Sequence, residues 1–164
     1  MTFASLSIRA AQCLAAGMVE SFSERAGYRF PALDQFIDYL WSVASSLDLA
    51  EWDRRGAALA ITGLGDSLPD EITRDLEDGA KGRLARICDL AREISASQIY
   101  AAWEPSKVKA LLVSLGSEMD QQILDRPVVE IFDSHSPHND GWGSPVDEVT
   151  VERWRRLVKK ELKT

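Results

Sequence analysis

The sequence predicts an all-α protein, a compact single-domain bundle of about six helices that covers residues 1–164. Two patterns lead to this prediction. Apolar residues recur at advances of three and four positions, which places their side chains on one face of an α-helix. Prolines and glycines separate these stretches where helices commonly begin and end. With 45% apolar and 27% charged residues, a chain of this length can bury a core without disulfides.

The first half of the chain contains three long predicted helices, over residues 5–25, 31–46 and 49–62. Pro31 suits a first helical turn, and Asp48 is a suitable N-cap for the third helix. A short helix is predicted after Pro69. The apolar stripe of the second helix consists of Leu33, Phe36, Ile37, Leu40, Trp41, Ala44 and Leu47.

Three further helices are predicted over residues 83–103, 105–123 and 151–162. Gly79 and Gly82 loosen the chain before the first of these helices. Pro105 suits the first turn of the second helix, and Thr150 is a suitable N-cap for the third. Residues 127–132 favour a short extended segment, because valine, isoleucine and phenylalanine are typical of strands. Residues 133–145 predict one long polar loop that is rich in turn formers.

The charges are unevenly distributed along the chain. The last 14 residues hold six basic and two acidic side chains, and the preceding 150 residues carry a net charge of −11. Acidic residues concentrate at 66–78, where Arg74 is the lone basic residue, and again at 130–148. The second stretch contains no Lys or Arg. Such a surface repels nucleic acid and attracts basic proteins, although it also serves solubility. We expect the basic last helix to pack beside the acidic body.

Both histidines lie in the polar loop, at His135 and His138, close to Asp133 and Asp140. Imidazole and carboxylate groups in such a cluster can hold zinc or another divalent ion. However, Pro137 opposes the helix that would bring the two rings together. We therefore expect exposed loop histidines, no metal site and no cofactor, with the metal site as the alternative.

Three tryptophans, Trp41, Trp52 and Trp154, lie on or beside apolar stripes and are predicted to be core residues. Trp103 precedes a helix break, so we expect it at a helix junction. Trp142 lies between two glycines in the acidic loop, and two interpretations remain open for it. It is an exposed interface anchor, as tryptophan often is at binding hot spots, or it folds back over the core.

Signatures of catalysis are missing from the sequence. The chain has neither a glycine-rich phosphate loop nor a G-x-S-x-G nucleophile turn. Cys13 and Cys88 lie on apolar stripes, which favours buried thiols over a disulfide. We therefore expect a protein that is not an enzyme. The apolar runs are too short for a bilayer and the first residues do not resemble a secretory signal, so we expect a cytoplasmic protein without membrane contact.

The amphipathic opening at 9–47 and the two acidic stretches resemble the helical immunity proteins of bacterial polymorphic and contact-dependent toxin systems. The resemblance lies in 28–33 (YRFPAL) and 39–41 (YLW) and in the acidic composition, and it covers about a third of the chain. It implies one-to-one binding to a cognate basic toxin domain, often a nuclease, whose active site is blocked.

We expect such a partner to dock on the second acidic stretch. The proposed docking residues are Glu130, Asp133, Asp140, Trp142, Asp147 and Glu148. Two other interpretations remain: a regulatory adaptor that dimerises through an apolar face, and a helical protein that binds a metal or small ligand through residues 133–140. The sequence does not determine the oligomeric state, or whether the two acidic stretches form one surface.

Overall fold

A computed structural model describes residues 6–121, 127–132 and 135–163. These ranges contain seven α-helices and one 3₁₀ helix, Pro127–Phe132, and no strand. The all-α class is thus confirmed, with more helical elements than the six expected. Within the described ranges, no helix is both long and apolar enough to cross a bilayer. The helices are α1 (Ile8–Ala26), α2 (Pro31–Ser42), α3 (Leu49–Ala57), α4 (Asp70–Thr73), α5 (Asp78–Ala96), α6 (Pro105–Glu118) and α7 (Glu148–Leu162).

Helix α1 is the centre of the fold. It contacts α2, α5, α6 and α7, and every residue from 8 to 23 is buried. Small residues make this possible, since they let neighbouring helices come close. Gly17 is one example, because a Cβ there would collide with Val158 and crowd Trp41. The helix begins at the N-cap Ser7 and ends at Gly27 in the left-handed conformation that glycine favours.

Helices α2 and α3 end earlier than their apolar patterns predict. The sequence favoured helices to residues 46 and 62, whereas α2 ends at Ser42 and α3 at Ala57. The two helices are held together by Tyr39 and Trp52, whose rings stack 4.4 Å apart. Trp52 Nε1 also donates to the Tyr39 carbonyl at 3.1 Å. One consequence is that Leu47 lies beyond α2 and is 90% exposed, so its assignment to the apolar stripe was wrong.

Helix α5 begins at Asp78, five residues before the predicted start, and ends at Ala96 rather than at residue 103. Gly79 and Gly82 are therefore helical, because an exposed helix tolerates glycine at a modest cost. The helix runs antiparallel to α1. Gln12 near the start of α1 donates to the Ala91 carbonyl and accepts from Ser95 N, toward the end of α5.

The segment predicted as extended is the 3₁₀ helix Pro127–Phe132. It buries Val128, Val129 and Phe132, and it packs against α1 and α7. Phe132 meets the Trp154 ring edge-on at 4.9 Å between centroids. Strand propensity mainly reports how well a residue fits a half-buried surface, and here a short helix provides that burial without a partner strand.

The last helix starts three residues before the predicted start. Asp147, not Thr150, is its N-cap: the Asp147 carboxylate accepts from Thr150 N at 2.8 Å. The apolar face of α7 lies against α1 and the 3₁₀ helix. Its buried residues are Val151, Trp154, Val158 and Leu162.

The core contains the predicted aromatic residues and both cysteines. Trp41, Trp52 and Trp154 are at most 2% exposed, which confirms their assignment. Cys13 and Cys88 are buried free thiols, as expected. Burial raises the pKa of each thiol well above its usual value, so both remain protonated near neutral pH.

Candidate functional site

The loop between the 3₁₀ helix and α7 is fixed to the start of α1. Ile8 N donates to the Gly141 carbonyl at 2.8 Å, and Arg9 N donates to the Trp142 carbonyl at 3.4 Å. The first N–H groups of a helix lack partners within the helix, and the loop supplies them. Further along, Val146 N donates to the Ala44 carbonyl at 2.8 Å. The loop is therefore anchored to both α1 and the end of α2.

The loop makes its tightest turn through residues with positive φ. Asn139, Asp140 and Gly141 have φ of 55°, 57° and 90°, and Gly143 has φ of 75°. Asn, Asp and Gly are the residues that tolerate this conformation best. Gly141 also lies against the Trp103 ring, where a Cβ would collide. The half-buried Trp103 thus packs beside the loop.

His135 is half-buried and both of its ring nitrogens have protein partners. Nδ1 lies 2.6 Å from Ser7 Oγ, and Nε2 lies 2.7 Å from the Ser144 carbonyl. Because the carbonyl only accepts, Nε2 carries the proton and Nδ1 accepts from the Ser7 hydroxyl. Burial lowers the pKa of His135. The ring also meets Trp154 edge-on at 5.3 Å, so His135 attaches the loop to α1 and α7.

His138 is exposed, as the sequence indicates, and its Nε2 lies 2.7 Å from Ser144 Oγ. The expectation that His135 is also exposed was wrong, because its ring fills the space between α1 and the loop. A metal at His135 would have to displace one of its two hydrogen bonds. Within the described ranges, no group of three or more histidine, cysteine or acidic side chains is arranged to hold a metal ion.

Trp142 folds back over the core and is 7% exposed. Of the two interpretations open for this residue, the structure supports packing and not an exposed anchor. Its neighbours Gly141 and Gly143 are buried as well. The loop therefore contributes residues 141–143 to the core, whereas residues 138–140 just before them face solvent.

Four of the six predicted docking residues carry exposed carboxylates. Glu130 lies in the 3₁₀ helix and Asp140 in the loop, while Asp147 caps α7 and Glu148 is its first residue. None of the four forms a salt bridge among the described residues. Hydrogen bonds from Thr150 lower the pKa of Asp147, which keeps it charged. The remaining acidic residue, Asp133, lies outside the described residues.

The first acidic stretch, 66–78, lies elsewhere on the molecule. Asp66 accepts from Thr62 Oγ1 at 2.6 Å, and Asp78 pairs with Lys81 at 2.8 Å. The start of α5 lies near the end of α1, where the Arg83 guanidinium covers the Phe22 ring. The polar loop caps the opposite end of α1. The two acidic stretches therefore belong to two surfaces.

The basic last helix packs against acidic side chains, as expected. Lys159 pairs with Glu24 at 2.8 Å, and Arg155 pairs with Glu20 and with Asp38. These pairs join α7 to α1 and α2. The other cations of the helix face an open groove of about 530 Å³ on its outer side. They include Arg156, Lys160 and Lys163.

Sequence reasoning missed several buried charged residues. Arg9 donates to the Val43 and Gly143 carbonyls and so fixes α1, α2 and the loop together. Burial lowers the pKa of Arg9. Arg92 is fully buried beside the stacked Tyr39 and Trp52 rings, and it binds Asp53 Oδ1 at 2.7 Å. The sequence contains one indication that Arg9 and Arg92 are buried, which is that each lies on an otherwise apolar helix face.

Comparison of the chain with protein-family models, with curated proteins and with solved structures finds no match. Function must therefore be inferred from the chain's own geometry and charge. Two features qualify the second acidic stretch as a candidate site: its carboxylates within the described ranges are exposed, and the loop in this stretch is anchored to the core.

Proposed function

We propose that this protein is a binding inhibitor, an immunity protein that neutralises a cognate basic toxin domain through an acidic surface. The observation that supports the proposal is the set of exposed carboxylates on the 3₁₀ helix, the anchored loop and the start of α7. They are Glu130, Asp140, Asp147 and Glu148.

Anchoring of the loop matters for affinity. A loop that becomes ordered only on binding loses conformational entropy at that moment, and this loss weakens the complex. Here Gly141 and Trp142 are already hydrogen-bonded to α1, and Val146 is hydrogen-bonded to Ala44. The backbone next to Asp140, Asp147 and Glu148 is thus ordered before any partner arrives.

Charge gives the expected chemistry of the partner. The chain carries −7 overall, and the four carboxylates have no salt-bridge partner among the described residues. A basic protein surface would be steered toward them and would associate faster at low salt. A toxin domain that binds nucleic acid has such a surface, since it must neutralise phosphates.

A growth-rescue assay tests the proposed function. The C-terminal region encoded by the adjacent reading frame is induced in a test cell with and without this protein. Growth restored only by co-expression supports the immunity function. A non-toxic neighbour, or toxicity that persists with soluble protein present, contradicts it.

Matched charge changes then test the surface in binding kinetics with that toxin domain. Glu130→Lys with Asp140→Asn changes the second acidic stretch, and Glu71→Lys with Asp75→Asn makes the same charge change on the first. We expect the first pair to slow association about tenfold at low salt and the second pair to have little effect. Equal effects would mean that net charge, rather than this surface, determines binding.

A further inference from the structure

Two large apolar side chains are exposed where the end of α2 meets the start of α7. Leu47 is 90% exposed and Val149 is 77% exposed. Val146 N donates to the Ala44 carbonyl at 2.8 Å, and Ser45 Oγ donates to Glu148 Oε1 at 3.2 Å. These two bonds bring together the chain segments that carry Leu47 and Val149.

The local fold does not use the Leu47 side chain. Leu47 precedes the N-cap Asp48 of α3, a position where an apolar residue often packs against the fourth residue of the helix. That fourth residue is Trp52, which is fully buried against Tyr39 instead. Leu47 therefore remains in solvent, because the usual partner for this position is buried elsewhere.

The backbone under both side chains is nevertheless well fixed. Asp48 Oδ1 accepts from Glu51 N at 3.0 Å, and Asp147 Oδ1 accepts from Thr150 N at 2.8 Å. Leu47 is thus next to the cap of α3, and Val149 is two residues from the cap of α7. A fixed backbone removes the cost of ordering the chain when a partner binds, which leaves only the side-chain entropy to be lost.

Acidic residues neighbour the two apolar side chains along the chain. Asp48, Asp147 and Glu148 are all exposed and adjoin Leu47 or Val149 in sequence. Apolar centres with polar groups around them are typical of binding hot spots. The adjoining side chains here are acidic, so their complement is an apolar side chain flanked by Lys or Arg.

We propose that Leu47 and Val149 form the apolar centre of the docking surface, and that they receive a segment of a basic protein with apolar side chains flanked by Lys or Arg. This inference rests on the proposed function and deepens it. It shifts the centre of binding from Trp142, which is buried, to the junction of α2 with α7, while Glu148 remains within the surface.

Methyl NMR tests the surface directly. The protein is labelled at leucine and valine methyl groups and titrated with a helical peptide of lysine and leucine. We expect the Leu47 and Val149 signals to shift, and a lysine and serine peptide of equal charge to bind at least about tenfold more weakly. Leu64 and Val113 are the internal references, because they are 48% and 38% exposed but lie elsewhere in the sequence and fold. Shifts of equal size at these references, or no shift at Leu47 and Val149, would overturn the proposal.

Paired variants use the same peptide. Leu47→Ser with Val149→Ser removes the apolar centre, and Leu64→Ser with Val113→Ser is the matched control. We expect the first pair to weaken binding about tenfold and the control to leave it unchanged. Circular dichroism checks that both pairs remain folded, which their exposure favours. Sedimentation of the wild type tests whether a second copy of the protein, rather than a basic partner, covers this surface. A wild-type dimer that is lost in the Leu47 and Val149 variant but kept in the control variant would overturn the proposal.

The growth-rescue assay separates this inference from the proposed function. If wild-type protein rescues growth and the Leu47 and Val149 pair does so equally well, the docking surface is wrong and the function stands. If wild-type protein fails to rescue, the immunity function is wrong. The peptide titration then decides the surface independently.

Discussion

Arg155 of α7 binds Glu20 of α1 through two nitrogens on one edge of its guanidinium group. Nε donates to both carboxylate oxygens at 3.0 Å, and Nη2 donates to Oε2 at 2.7 Å. Nη2 also reaches Asp38 Oδ1 of α2 at 2.8 Å. One side chain therefore joins three helices, and Glu20, only 7% exposed, depends on it for its charge partner.

Arg155→Ala should lower the free energy of unfolding by about 2–3 kcal/mol. Removing one member of a fully buried pair costs about 3–5 kcal/mol, and the cost is smaller here because the Arg155 side chain is 30% exposed. Urea unfolding of purified protein measures the change. Arg156→Ala is the control, since Arg156 is exposed on the same helix, and it should shift stability by less than about 0.5 kcal/mol. Equal losses would contradict a specific role for Arg155.

Arg92→Met should cost more, about 3–5 kcal/mol, because it leaves Asp53 without its buried cation. It also removes the Arg92 bond to the Thr62 carbonyl at 3.1 Å and the contact of the cation with two aromatic rings. Arg86→Met is the control on the same helix. Arg86 pairs with Glu118 but its side chain is 61% exposed, and such surface pairs contribute about 0–1 kcal/mol. If the two variants unfold at the same urea concentration, the buried arginine is not a structural requirement.

Two helical glycines should respond in opposite directions to alanine. Gly82 in α5 has open space where a Cβ would lie, so Gly82→Ala should stabilise the protein by about 0.5–1 kcal/mol through helix propensity. At Gly56 in α3, a Cβ would collide with Arg92 Nη1 and Tyr39 Oη. Gly56→Ala should therefore destabilise the protein by about 1–3 kcal/mol. Thermal melting of the two variants gives the comparison, and a gain at Gly56 would show that the helix contact is looser than described.

The free energy of unfolding should decrease as the pH falls, because His135 becomes protonated. Burial lowers the pKa of its ring below the ordinary value of about 6.5, so the folded state favours the neutral form. This contribution is complete above about pH 6.5 and is lost as the pH falls through the lower pKa of the folded protein. The protonated ring would have to donate from Nδ1 to Ser7 Oγ, which already accepts from Ala10 N at 3.0 Å.

Urea unfolding at pH 7.5 and at pH 5.5 measures this dependence in the wild type and in His135→Gln. The variant should lose less stability between the two conditions than the wild type. His138→Gln is the control, because His138 is exposed, and it should retain the wild-type dependence. A wild-type loss that His135→Gln leaves intact would assign the effect to other groups.

Most helices could be predicted from local patterns, because their causes are local. Pro31 and Pro105 begin α2 and α6, and Asp48 caps α3, since proline geometry and side-chain capping act within one turn. Helix ends were harder to predict. Leu47 continues the apolar spacing of α2, yet α2 stops at Ser42 and the chain turns toward α3. Spacing alone does not show whether a neighbouring helix is present to cover the next residue.

The sequence by itself determined the all-α class, the buried thiols, the tryptophan core and the acidic character of the 130–148 stretch. Each follows from residue type and from spacing within a few turns. The tertiary structure alone decided that Trp142 and His135 turn inward, that Arg92 and Glu20 are buried, and that Leu47 and Val149 are left exposed. These outcomes depend on which distant segment supplies a hydrogen bond or a covering side chain, as Gly141 does for Ile8. No pattern along the chain encodes such pairings, because they arise only when the helices pack.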